Sequence, residues 1–183
     1  MRLLPIICLV CGLTGNLSSA VADQNDPRLS DLFAKLGEVS APAEAASIES
    51  QIWAIWLETS DQAAASLLQT GLSAMSVNDH PAALKAFDRL VTIAPDFAEG
   101  WNKRATVHYL VGNLEQSLDD IATTISLEPR HFGALSGRGL VYVSLDDLGR
   151  ALTSFEAALA VYPNMAGPRI NAEAIRRILG EEI

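Results

Sequence analysis

Three histidines, two arginines and two tryptophans are the side chains of this 183-residue chain whose types and placement raise the question of chemistry. A metal needs several nitrogen, oxygen or sulfur ligands converging at fixed spacing, as two histidines four apart on one helix do. His80, His108 and His131 show no such spacing. His80 falls at a helix start, His108 at an aromatic core position and His131 at the opening of another helix, so no metal ligand is expected. The chain has no HExxH, no GxSxG, no glycine-rich phosphate loop and no aspartate-rich calcium loop, so neither a catalytic residue nor a cofactor is expected. Arg104 and Arg138, 34 residues apart, admit two readings: an anion-binding ladder, or structural ion pairs between adjacent helices. Asp120, sixteen residues after Arg104, is placed to pair with it, which favours the structural reading there. Ser154 holds the matching place after Arg138, and the role of Arg138 stays open. Trp53 and Trp56, three apart on one apolar stretch, invite a binding platform but read better as core.

The elements that carry these residues repeat. Pro95, Pro129 and Pro163 are 34 residues apart, and each ends an apolar helical stretch. Asp79, Asn113 and Asp147 recur at the same interval, and all three are types that accept a hydrogen bond from the orphan amides of a helix start. Asn113 is followed three residues later by Gln116, as in a capping box. Asn78, Gly112 and Asp146 stand just before these caps and tolerate the left-handed backbone of a tight turn. Gly71, Ala105 and Gly139 form a series of small residues, as do Ala83, Ser117 and Ala151, where helices approach closely. Phe87, Ile121 and Phe155, with Leu67, Trp101 and Leu135, supply bulk between paired helices.

The pattern resembles the tetratricopeptide repeat, whose period is 34. Leu135, Gly139, Tyr142, Ala151, Phe155, Ala158 and Pro163 form its fullest copy. Trp101, Ala105, His108, Ser117, Ile121, Thr124 and Pro129 form a second, and Leu67, Gly71, Ala74, Ala83, Phe87, Leu90 and Pro95 a third. The resemblance implies an all-α solenoid of helix-turn-helix pairs over about 64–97, 98–131 and 132–165. One pair cannot bury its apolar face alone, so the pairs must stack and the ends need covers. A helix over 167–180 is the expected C-terminal cap, burying Ile170, Ala174, Ile175, Ile178 and Leu179 and exposing Arg169, Glu173, Arg176, Arg177 and Glu181. Upstream, Ser30–Leu36 and Glu44–Glu58 read as helices joined by a loop over Ser40–Pro42. The second carries a wide apolar stripe, so it is buried on more than one side. The two form a degenerate N-terminal helix pair within 23–60, expected to pack on the first repeat, after a loose polar leader over Asp23–Pro27.

The first 22 residues have the pattern of a secretory signal: Arg2, the apolar stretch Leu3–Leu13, then Ala20-Val21-Ala22 before Asp23. Eleven apolar residues are too few to span a bilayer, so no membrane insertion is expected after cleavage. Cys8 and Cys11 both lie in this segment and neither follows the small residue of a lipoprotein signal, leaving no thiol beyond it. The chain also resembles small exported repeat proteins of Gram-negative bacteria at Trp101-Asn102-Lys103-Arg104-Ala105 and Glu128-Pro129-Arg130-His131-Phe132. That resemblance implies a periplasmic home. The formal charge of -9 makes nucleic acid and anionic membranes poor partners.

The tetratricopeptide resemblance implies a protein or peptide partner held on the concave face. It places there Ala65, Leu68, Leu72 and Met75 of the first repeat, Glu99, Asn102, Thr106 and Tyr109 of the second, and Gly133, Ser136, Leu140 and Val143 of the third. Leu68, Leu72, Gly133 and Gly137 stand where a carboxylate clamp has polar or basic side chains, and only Lys103 is basic nearby, so no clamp is expected. Two functions from one fold remain: a non-catalytic peptide-binding module, or a self-associating protein in which a neighbour's Leu29-Leu32-Phe33-Leu36 stripe fills the groove. An enzyme or small-ligand binder, a third class, has no motif in its favour.

Overall fold

The computed structural model describes residues 23–180. The signal expected over 1–22 and the Glu181 expected on the cap lie outside the described residues. A 3-10 turn at Asp23–Asn25 leads into nine α-helices: α1 (Arg28–Glu38), α2 (Pro42–Trp56), α3 (Gln62–Ser76), α4 (His80–Ile93), α5 (Ala98–Leu110), α6 (Leu114–Leu127), α7 (Phe132–Ser144), α8 (Leu148–Val161) and α9 (Ala166–Leu179). The pairs α3–α4, α5–α6 and α7–α8 are the three repeats, stacked in chain order.

The turn chemistry explains the identical geometry of the three hairpins. Asn78 and Asp146 take positive φ of 58° and Gly112 of 81°, the left-handed step that reverses the chain between paired helices. Asp79 and Asp147 then accept from the amides of Ala82 and Arg150 at 3.1 and 3.0 Å. Asn113, at the same place, makes no such side-chain cap. Its amide nitrogen lies instead 3.4 Å from His108 Nδ1, so the capping box with Gln116 does not form. At the other ends, Ala94, Glu128 and Tyr162 are pushed to φ near -130° by the prolines that follow them.

The small-residue series is matched to the bulk it faces. A Cβ on Gly139 would come within 2.5 Å of Phe155 Cε1, and one on Gly71 would collide with the Phe87 ring. In the middle repeat the bulky residue is the smaller Ile121 and the small one is Ala105, both buried. Phe87 and Phe155 are fully buried, so neither ring has room to give.

The N-terminal pair departs from expectation. It does not form a further repeat stacked on α3. Its buried cluster joins Leu29, Leu36, Ile48, Ile52 and Trp56 to Phe132 at the start of α7 and Tyr162 at the end of α8, with no α3 residue among them. The leader is not loose either. Gln24 is buried and donates to the Asp96 carbonyl between α4 and α5 at 2.6 Å. At the far end the Asn164 side-chain amide donates to the Val39 carbonyl. The α1–α2 hairpin thus lies along the edge of the solenoid where the first helices of the repeats begin. Pro42 opens α2 at a position whose amide is unpaired in any helix.

The C-terminal cap is present with Ile175 buried and Arg169 and Arg177 exposed as expected, but the rest of its expected apolar face lies open. Pro168, Ala172 and Ile175 are the buried residues of α9. Ile170 and Ile178 are 63% and 68% exposed, and Ala174 and Leu179 are exposed too. Ala172 and Ile175 pack together into the cluster of Ala151, Leu152 and Phe155 of α8.

Candidate functional site

The first helices α5 and α7 line a pocket of about 210 Å³ on the concave face. Asn102, Thr106, Tyr109, Ser136 and Leu140, all expected there, come together in it. Gly133, Gly137 and Met165 share the wall with Ile121 of α6, which stands behind Gly137. No charged side chain lines the pocket.

The remaining expected residues lie elsewhere. Leu68 is buried in the core of the first repeat, and Leu72 and Met75 are half-buried against that core, outside the pocket. Val143 is 42% exposed one turn beyond Leu140. Lys103 is turned away: its ammonium sits 2.7 Å from Glu99 Oε1 and 5.0 Å over the Trp53 ring. Glu99 itself is 1% exposed and is not a groove surface.

Glu99 instead anchors a buried network at the groove's edge. His131, fully buried, caps α7 by accepting from the Ala134 amide at Nδ1, 3.0 Å away. That assigns its proton to Nε2, which donates to Glu99 Oε2 at 2.9 Å. The Asn102 side-chain amide donates to the same oxygen at 3.0 Å. Burial alone pushes the Glu99 carboxyl up. The hydrogen bond from His131, then the charge of Lys103, outweigh it and hold the group below the usual carboxylate range.

This network seats the N-terminal hairpin. The Trp56 ring stacks on His131 with centroids 4.1 Å apart and planes 7° from parallel. Trp53 meets Trp56, His131 and Phe132 edge-on at 5.2 to 5.5 Å. The edge of Trp53 also fills the place where a Cβ of Gly133 would stand, so Gly133 is needed for the hairpin to dock. The tryptophans are core, not a platform for a partner. The sequence pointed to His131 only as a helix opener; its pairing with Glu99, 32 residues earlier, had no local signal.

Arg104 has the structural role: it makes a two-pronged pair with Asp120 at 2.7 and 2.8 Å and reaches Asp88 of α4 at 3.0 Å. Arg138 donates from Nε to Ser154 Oγ at 3.1 Å, the same helix-to-helix step with a neutral acceptor. Among the described residues no group of three histidine, cysteine or carboxylate side chains is placed to hold a metal, and no helix is long and apolar enough to cross a membrane.

Three stacked helical hairpins with a 34-residue period and a concave face define a helical-repeat solenoid. No protein-family model matches the chain. A TPR repeat-containing protein of Rhizobium etli is 35% identical over 136 residues, which is 74% of this chain and 67% of that protein. The chain belongs to the tetratricopeptide repeat family. Among solved structures, the first TPR of Spaghetti (RPAP3) bound to HSP90 peptide SRMEEVD superposes with a TM-score of 0.63 at 19% identity, covering 66% of this chain and 95% of that one. The TPR2B domain of yeast Sti1 in its pHsp70 complex superposes with a TM-score of 0.59 at 20% identity, covering 66% of this chain and 98% of that one.

Proposed function

We propose that this protein is an exported, non-catalytic interaction module that holds an uncharged segment of a partner polypeptide in the groove between α5 and α7. The observation that carries the reading is the pocket itself. It brings hydroxyl and amide groups of Asn102, Thr106, Tyr109 and Ser136 beside the apolar side chain of Leu140. Among the described residues Asn102 Oδ1 makes no hydrogen bond, which leaves an acceptor for a backbone amide. The Spaghetti neighbour is bound to an HSP90 peptide and the Sti1 neighbour is in a pHsp70 complex, and this supports a peptide as the cargo class. Lys103 is committed to Glu99 and Trp53, so a terminal carboxylate finds no clamp. The signal pattern over 1–22 supports export to the periplasm.

The alternative, a groove filled by a neighbour's N-terminal helix, loses its ligand. Leu29 and Leu36 of that stripe are fully buried on the chain's own α2, and Leu32 and Phe33 pack there as well.

The test is a selection of displayed peptides on the immobilised full chain, followed by binding of the recovered peptides to two variants. Leu140→Asp is expected to abolish binding, and Val77→Asp, at a 72% exposed site outside the groove, to leave it unchanged. Peptides that bind Leu140→Asp as well as the parent would remove the groove from the account.

A further inference from the structure

We propose that α9 is a self-association surface, through which two copies of this chain pair antiparallel about a two-fold axis at Ala174. Its outer face carries Ile170, Ala174 and Ile178 at intervals of four, all exposed. These are the residues a cap would be expected to bury, and among the described residues nothing covers them. The spacing reads the same in both directions from Ala174. An axis there sets Ile170 of each copy against Ile178 of the other, with the small Ala174 at the point of closest approach. A two-fold contact requires such a self-complementary surface, in which each residue before the axis faces one after it on the other copy.

The flanking charges select the same partner. Glu173 stands one residue before the axis and Arg177 three residues after it, both on one side of the stripe. Within the chain they are only loosely paired, at 3.8 Å. In the antiparallel pair the partner's Arg177 lies about 3 Å along the helix from Glu173, and the symmetry makes the contact twice. Arg176 is not in competition, because it turns to Glu156 of α8 at 2.6 Å.

Charge also disfavours the other open end of the solenoid as the mate. The face of α3 and α4 that α2 leaves uncovered carries Lys85 and Arg89 among Leu67, Ile93 and small residues. That face would meet Arg169 and Arg177 of α9 with like charge. One 14-residue helix per copy gives an interface below about 1,200 Å² in total, so the dimer is weak and concentration-dependent. Ile170 and Ala174 stand 34 residues after Ser136 and Leu140, so the pairing joins the ends of two concave faces.

The experiment is sedimentation velocity on the full chain, expressed so that any processing is the cell's own, over a concentration series reaching about 1 mM, the weak end of measurable association. The parent is expected to shift reversibly from monomer to dimer, and Ala174→Arg, at an exposed site with unchanged circular dichroism, to stay monomeric. Glu173→Arg and Arg177→Glu are each expected to weaken the dimer about tenfold by turning two attractions into repulsions. An equimolar mixture of these two variants is expected to regain dimer mass, because one chain then presents two arginines and the other two glutamates. No change inside a single chain can produce that rescue. A parent that stays monomeric throughout, a dimer that Ala174→Arg leaves intact, or a mixture no heavier than its components would each overturn the proposal.

Discussion

Placing a methyl group on Gly139 tests how the repeats are held together. On helix propensity alone, Gly139→Ala inside α7 gains about 1 kcal/mol. The added Cβ, however, stands 2.5 Å from Phe155 Cε1, more than an ångström inside ordinary contact, and Phe155 is fully buried with nowhere to turn. Overpacking of this kind costs about 1–3 kcal/mol, so after the propensity gain a net loss of up to about 2 kcal/mol is expected. The middle repeat shows the remedy, since there the alanine at this place, Ala105, faces Ile121. Phe155→Ile alone leaves a void and costs about 1–2 kcal/mol. Combined with Gly139→Ala, the void receives the methyl group and the pair reproduces the middle repeat. Urea unfolding followed by far-ultraviolet circular dichroism on all four proteins closes the cycle. The double variant is expected to be at least 1 kcal/mol more stable than the sum of the singles predicts. Additive losses would refute the reasoning, because they would mean that the two side chains do not share one space.

Three further outcomes follow from the edge of the groove and its charges. Glu99 ionises below its ordinary value of 4.5 in the folded chain, so its contribution to stability is present above about pH 4.5 and is lost as the pH falls through the lower folded-state value; thermal unfolding between pH 3 and 7 is expected to show a flatter acid limb for Glu99→Gln than for the parent, and parallel limbs would contradict this. Trp56→Ala removes the ring stacked on His131 and is expected to cost the α1–α2 hairpin about 3–5 kcal/mol, read as faster amide exchange in α1 and α2 with α5 to α8 still protected. A groove-binding peptide and its C-terminally amidated twin are expected to bind within about twofold of each other, because Lys103 is paired; a tenfold loss, or about 1.4 kcal/mol, on amidation would reveal a clamp.

The repeat was legible because its signals are local. The left-handed residues Asn78, Gly112 and Asp146, the prolines that stop each pair and the glycines that admit a phenylalanine each follow from the chain within one turn or one hairpin. Five of the expected residues share one pocket for the same reason, since repeat position places Asn102, Thr106, Tyr109, Ser136 and Leu140 on one face. Contacts between distant elements were not. The apolar girth of α2 signalled burial but not the surface it would meet, and that surface, His131 and Phe132, is set by a network with Glu99 that spans two repeats. The same network removes Lys103 and Glu99 from the groove, although their repeat positions put them near it. On α9 apolar residues occur around most of the helix, so periodicity alone did not say which side would bury; the side that packs on α8 is the one with Ala172 and Ile175.

The most direct test of the central claim is photo-cross-linking in the living cell from a benzoylphenylalanine placed in turn at Ser136 in the groove and at Ser126, exposed on α6. A discrete cross-linked protein species is expected from position 136 that disappears when Leu140→Asp is added, and no such species from position 126. A species captured from position 126 alone, or one from position 136 that survives Leu140→Asp, would contradict the claim.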